Sequence, residues 1–169
     1  MRKFLILTAV AAATAAASSS VGAATTNATF TVSATVNATC SATAGNLTFP
    51  AYTPAAGAQT ATSAISVKCT NKTAFTVALN AGTTTGTTMA QRLLNDGAGD
   101  TLQYNLYTST THNTVLGDGT NGSQQGGGTG TGVNNAIAVN VYGQLPDSTT
   151  NQAAVPGNYS DTITVTVTY

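Results

Sequence analysis

The sequence predicts an all-β protein, an antiparallel sandwich of short strands, and three observations carry that expectation. Apolar and polar residues alternate in runs along the chain, the period of a strand with one buried face. Gly, Pro and Asn separate the runs, as turns require. Beyond the N-terminus no long stretch carries the 3.6-residue apolar period of a helix, so short strands and turns point to a sandwich.

The chain opens Met1-Arg2-Lys3, continues in an apolar run to Ala17 and closes Ser18-Ser19-Ser20-Val21-Gly22-Ala23. A basic start, a short apolar stretch and small residues at the end predict a secretory signal peptide over residues 1–23. The run is too short for a membrane span, which needs roughly 20 apolar residues. The remainder fits a single domain with its own core. We assign residues 24–37 to an N-terminal segment and residues 38–169 to the sandwich.

The first alternation covers residues 28–40, with Ala28, Phe30, Val32, Ala34, Val36, Ala38 and Cys40 on one face. Further strands are predicted at 46–49, 64–69, 75–80, 102–107 and 136–143. The last, 159–169, begins after the turn Pro156-Gly157-Asn158 and sets Tyr159, Ile163, Val165, Val167 and Tyr169 against a polar face of Ser and Thr. Residues 117–132, rich in Gly, Thr, Asn and Gln, are expected to form a long exposed loop.

The formal net charge is zero, and the part after the signal keeps only Lys68, Lys72 and Arg92 as cations. So little positive charge excludes nucleic acid as a partner. Charged residues make up 6% of the chain, unlike disordered sequences, which combine high charge with few β-branched residues. Cys40 and Cys69 are the two cysteines, and in an exported chain they most simply form one disulfide. Closing a loop of about 30 residues would stabilise the fold by roughly 3 to 4 kcal/mol.

Catalytic motifs are thin. Gly117-Asp118-Gly119-Thr120-Asn121-Gly122 matches G-x-G-x-x-G, but Ser123-Gln124-Gln125-Gly126-Gly127-Gly128 follows where a dinucleotide site needs a helix. His112, the single histidine, lies in a polar turn, and neither a nucleophile with its base nor a metal site can be assembled around it. Asp96 and Asp100 form the nearest carboxylate pair, in a glycine-rich turn that suits neither glycoside hydrolysis nor a calcium site. Sequons such as Asn71-Lys72-Thr73 and Asn158-Tyr159-Ser160 are expected by chance in a chain this rich in Asn and Thr. No enzyme activity, cofactor or metal is expected.

Several segments together resemble the spore coat protein U-like family, which includes major subunits of archaic chaperone-usher pili. They are Phe30-Thr31-Val32-Ser33-Ala34-Thr35-Val36 before Cys40, Asn46-Leu47-Thr48-Phe49, Ser66-Val67-Lys68-Cys69, Phe75-Thr76-Val77-Ala78-Leu79, Tyr104-Asn105-Leu106-Tyr107 and Val141-Tyr142-Gly143. The ending from Gly157 through Tyr159, Asp161 and Thr162 to Tyr169 is the most specific, with the placement of the cysteines.

The resemblance implies an incomplete immunoglobulin-like antiparallel β-sandwich completed by a donor strand. Phe30, Val32, Ala34 and Val36 would be the donor's inserted side chains, and Ile163, Val165 and Val167 the edge of the groove that receives them. The implied partners are identical or homologous pilin subunits, a periplasmic chaperone and an outer-membrane usher. The implied product is a surface pilus, or fimbrium, serving adhesion and biofilm formation. Three rivals stand beside this reading. A spore or cell-surface coat protein of the same fold would lack neighbouring chaperone and usher genes. An outer-membrane β-barrel would need aromatic girdles, and a secreted glycan-binding module would need clustered Trp or Tyr.

Overall fold

The computed structural model describes residues 21–169, so most of the expected signal peptide lies outside the described residues. The chain divides into two units, residues 1–35 and 36–169. In the first, residues 21–35 are exposed and take part in no ladder. The strand expected over residues 28–40 is therefore corrected: pairing begins only at Cys40.

The second unit is a sandwich of two antiparallel sheets. One has the order β1 (Cys40–Ala44), β2 (Gln59–Cys69), β7 (Ile137–Leu145), β5 (Thr101–Tyr107) and β4 (Arg92–Asn95). The other is β6 (Gly126–Thr129), β3 (Ala74–Leu79) and β8 (Val165–Thr168). One short helix, α1 (Thr149–Gln152), follows β7, with the Ser148 hydroxyl accepting from the Asn151 N–H as its cap.

The inner faces follow the period of two. Ile65, Val67 and Cys69 of β2, Val139, Val141 and Leu145 of β7 and Leu102, Tyr104 and Leu106 of β5 are buried against Phe75, Val77 and Leu79 of β3. β-Branched and aromatic residues suit such a pleated, half-buried surface. Cys40 and Cys69 face each other at the first pair of the β1–β2 ladder and are joined by a disulfide.

Besides β1 and α1, two strands escaped the sequence pattern. The loop expected over 117–132 is corrected in part: residues 126–129 are β6, paired with residues 74–77 of β3. Its glycines are there for space. A Cβ on Gly126 would collide with Val139, and one on Gly127 would lie 2.7 Å from the Phe75 carbonyl oxygen. A strand that must lie this close to its neighbours reads as a loop because it has lost its side chains.

The other is β4, whose Arg92 is fully buried. Its Nε and Nη2 donate to the Asn80 carbonyl at 3.1 and 2.9 Å, Nη2 donates to the Leu116 carbonyl at 3.0 Å, and Nη1 donates to Asn105 Oδ1. Asn105 in turn donates to the Met89 and Ala90 carbonyls. Burial pushes the Arg92 pKa below its ordinary value, and carbonyl dipoles rather than a carboxylate absorb its charge. The side chain thereby ties the end of β3 to β5 and to the segment before β6. Arg92→Met should lower stability by about 3 to 5 kcal/mol in urea unfolding, because it strands the Asn80 and Leu116 carbonyls and Asn105. Arg92→Lys, with one donor point in place of a fork, should recover only part of it.

Candidate functional site, an open apolar groove

The core of the sandwich is open along one side. A cleft of about 850 Å³ runs between the two sheets, with one wall from residues 44–54 and the other from residues 154–165. Leu79, Leu102, Leu106 and Leu145 lie buried at its floor, while Leu47, Phe49, Ile163 and Val165 at its rim are only half-buried. The expected strand at 46–49 does not form a ladder; its Leu47 and Phe49 line the cleft instead. They have room because residue 143 is glycine: a Cβ there would lie 2.9 Å from Leu47 Cδ2 and from Phe49 Cζ. Phe49 meets Tyr104 edge to face, with ring centroids 6.2 Å apart.

The edges of the cleft are short of partners. In β1, Cys40, Ala42 and Ala44 oppose the buried Cys69, Val67 and Ile65, so they share the core face. Ala42 and Ala44 are nevertheless exposed. Nothing among the described residues covers them.

β8 is the matching edge on the other sheet, paired with β3 alone. The Asn80 N–H donates to the Thr164 carbonyl at 3.2 Å, and the Thr164 N–H donates to Asn80 Oδ1 at 2.9 Å. In an antiparallel ladder, alternate residues turn their polar backbone groups to opposite sides. Thr164, Thr166 and Thr168 therefore bond towards β3, and Ile163, Val165 and Val167 aim their N–H and C=O groups at the open edge. The same three side chains are half-buried, Ile163 and Val165 within the cleft.

Two carboxylates fix the walls. Asp161 accepts from the Thr83 N–H at 2.8 Å, the Thr83 hydroxyl at 3.1 Å, its neighbour Thr162 N–H at 2.8 Å and the Tyr104 hydroxyl at 2.7 Å. Burial opposes its ionisation, but these donors, the Thr83 N–H foremost, hold its carboxyl below the usual range. Burial and then Asp161 push the Tyr104 phenol far up. Asp147 accepts from the Tyr52 hydroxyl at 2.5 Å and from the N–H groups of Ala55 and Gly57 at 3.1 and 2.9 Å. It secures a turn in which Ala55 has a left-handed φ of 61°. Partial burial and the Asp147 bond push the Tyr52 pKa up to about 12.

The donor residues named from the sequence are open to solvent: Phe30 and Val36 are 87% exposed and Val32 81%, with Ala34 also exposed. Sequence reasoning missed Asp161 and Asp147. For Asp161 the signal was present, since it occupies a core-facing position between Tyr159 and Ile163, where a lone acid needs buried donors.

The Spore Coat Protein U domain family matches residues 26–166, nearly the whole described chain. The chain belongs to the Spore Coat Protein U domain family. Among solved structures, a chain of the CsuC–CsuE chaperone–tip adhesion subunit pre-assembly complex, from archaic chaperone-usher Csu pili of Acinetobacter baumannii, is similar, with a TM-score of 0.52 and 22% identity. The match covers 80% of this chain and 40% of that one, so this chain spans less than half the length of that neighbour. The likeness establishes the fold, and the expected immunoglobulin-like sandwich holds. No curated protein matches this sequence closely enough to count as a relative.

Because Asp161 has a depressed pKa, its contribution to stability is fully present above the ordinary carboxylate value of 3.8 and is lost as pH falls through the folded pKa. Thermal midpoints should be flat from pH 7 to about 5 and fall below about 4. Asp161→Asn should be less stable at neutral pH and show a shallower acid decline; an unchanged decline would show that Asp161 does not contribute to it.

Proposed function

We propose that this protein is a structural subunit of a surface pilus, built by donor-strand exchange. One observation carries the reading: a regular alternation of exposed apolar residues at Phe30, Val32, Ala34 and Val36, in a chain whose core lies open along β8. Residues 24–37 act as the donor strand and residues 38–169 as the accepting domain. The incoming strand adds to β8, taking up the N–H and C=O groups of Ile163, Val165 and Val167. Its alternate side chains enter the cleft, where Phe30, Val32 and Val36 each contribute roughly 1.5 to 3 kcal/mol and Ala34 less. Adjacent inserted side chains recur every ~6.6 Å along the strand, which sets the register.

An unfilled cleft of this kind is an aggregation hazard. A periplasmic chaperone therefore covers it after export, and an outer-membrane usher exchanges that chaperone for the donor of the next subunit. The role is structural rather than catalytic, ends at the cell surface, and supports adhesion and biofilm formation. The family's description favours a second reading, a spore or cell-surface coat protein that uses the same fold without forming a pilus. Negative-stain microscopy of surface material containing this chain separates the two, since a coat protein forms no thin filaments.

Deleting residues 25–36 should leave a chaperone-bound subunit that folds but cannot join the next one. A copy of that segment, appended after Tyr169 through a flexible linker, should give a soluble, more stable monomer. Val32→Arg in the copy should cancel the gain by driving a charge into an apolar site, a cost of several kcal/mol. Filaments from the truncated chain, or a tethered copy that adds no stability, would rule out donor-strand exchange. Val165→Asp, at the edge of the cleft, should abolish recovery of the chaperone complex.

A further inference from the structure

We propose that Asn121 is a site of spontaneous modification, selected by the fold, where attack by the Gly122 nitrogen converts the asparagine to aspartate and isoaspartate. The proposal does not depend on the pilus reading. An asparagine or aspartate followed by glycine can close a five-membered succinimide ring, because no side chain hinders the attacking nitrogen and the reaction is intramolecular. The chain holds three such pairs, Asp96-Gly97, Asp118-Gly119 and Asn121-Gly122. All three glycines are exposed, and their surroundings tell them apart.

At the two aspartates both reacting groups are held. The Gly97 N–H donates to Asn95 Oδ1 at 2.7 Å, and Asp96 Oδ1 accepts from the N–H groups of Ala98, Gly99 and Asp100 at 2.8, 3.0 and 3.0 Å. The Gly119 N–H donates to Ser123 Oγ at 3.1 Å, and Asp118 Oδ1 accepts from the Thr120 N–H at 2.9 Å and the Thr120 hydroxyl at 2.7 Å. These donors, the Ala98 N–H foremost for Asp96 and the Thr120 hydroxyl for Asp118, hold both carboxyls below the usual range. Each is therefore a carboxylate at neutral pH, a poor target for a nucleophile, and is fastened to donors other than the glycine it would have to meet.

Asn121-Gly122 has neither restraint. Among the described residues the Gly122 N–H donates to nothing, and the Asn121 side chain makes one contact, a donation from Nδ2 to Thr120 Oγ1 at 3.3 Å. Asn121 holds a left-handed φ of 49°, uncommon for a residue with a Cβ, and nothing lies within 4 Å of the Cβ position of Gly122. Its amide carbon is neutral and stays open to attack. The Gly122 nitrogen gives its proton to hydroxide and bonds to Asn121 Cγ, and the side-chain nitrogen takes a proton from water and leaves as ammonia. Water then opens the ring at either carbonyl, giving aspartate or, with the main chain rerouted through Cβ, isoaspartate. One water is consumed and one ammonia released, with no change of oxidation state. The product adds a negative charge to a chain that carries few. Isoaspartate also lengthens the main chain inside the turn closed by the Ser123 N–H and the Thr120 carbonyl at 2.9 Å, and so disturbs the buried Ser123 whose hydroxyl holds Gly119.

The test ages the unaltered mature chain, as recovered from cells, in its native state and in parallel unfolded in guanidinium with the disulfide intact. Peptide mapping by mass spectrometry reads deamidation at each asparagine, and enzymatic methylation reads isoaspartate at residues 96, 118 and 121. The ratio of native to unfolded rate should lie within a few-fold of one at Asn121 and far below that at Asp96 and Asp118. In the native chain Asn121 should convert several-fold faster than Asn46, Asn71 and Asn158, which precede Leu47, Lys72 and Tyr159, and its rate should rise in proportion to hydroxide. Asn121→Gln, which would need a larger ring, should remove the acidic species that accumulates on ion exchange. The proposal is overturned if native Asn121 converts no faster than those asparagines, if the three ratios are equal, or if Asn121→Gln leaves the acidic species in place.

Discussion

The fold is governed by a shortage of covering strands. The sandwich collects enough apolar side chains for a closed core, but β1 and β8 stand as edges of different sheets with a cleft between them. Ala42 and Ala44 face the core and are exposed, while Ile163, Val165 and Val167 are half-covered. A soluble domain normally closes such a seam or blunts it with charge. Here the rim is uncharged apart from Asp161, which is turned to internal donors, and the hydrophobic effect pulls towards any strand that can complete it.

A core left open cannot rely on close packing alone to keep its shape. Directional polar contacts take over that task at three places. Arg92 gathers carbonyls from two segments beside β5, Asp161 fastens the approach to β8 onto Thr83 and Tyr104, and Asp147 fastens the opposite wall through Tyr52 and a strained turn at Ala55. Every buried polar side-chain atom among the described residues has a partner, so this scaffold leaves no buried side-chain donor or acceptor unmet. The two walls of the groove are thus positioned by directional hydrogen bonds.

Much of this was legible in the sequence because strands with one buried face announce themselves by alternation. The periods through Val67, Val77, Val139 and Val165 located four strands of the core, though boundaries drifted: the last ladder begins at Val165, not at Tyr159. The failures have a common cause. β6 hides because its glycines make room for Val139 and Phe75, and β4 hides because an arginine occupies an inward position that patterning reserves for apolar residues. The groove followed from resemblance rather than pattern, since alternation tells which face of a strand is apolar but not whether anything covers it.

The position of the disulfide has a mechanical side. In the proposed pilus, tension carried by a donated segment would reach the domain at residue 36, and the β1–β2 ladder begins four residues later. Loaded from its end, an antiparallel pair opens like a zipper, one rung at a time, at low force. A covalent bond across the first pair removes that route. Load passes through sulfur into the end of β2, next to the turn that leads to β3, the neighbour of β8 in its sheet. One bond, well placed, turns an edge strand into a tow point.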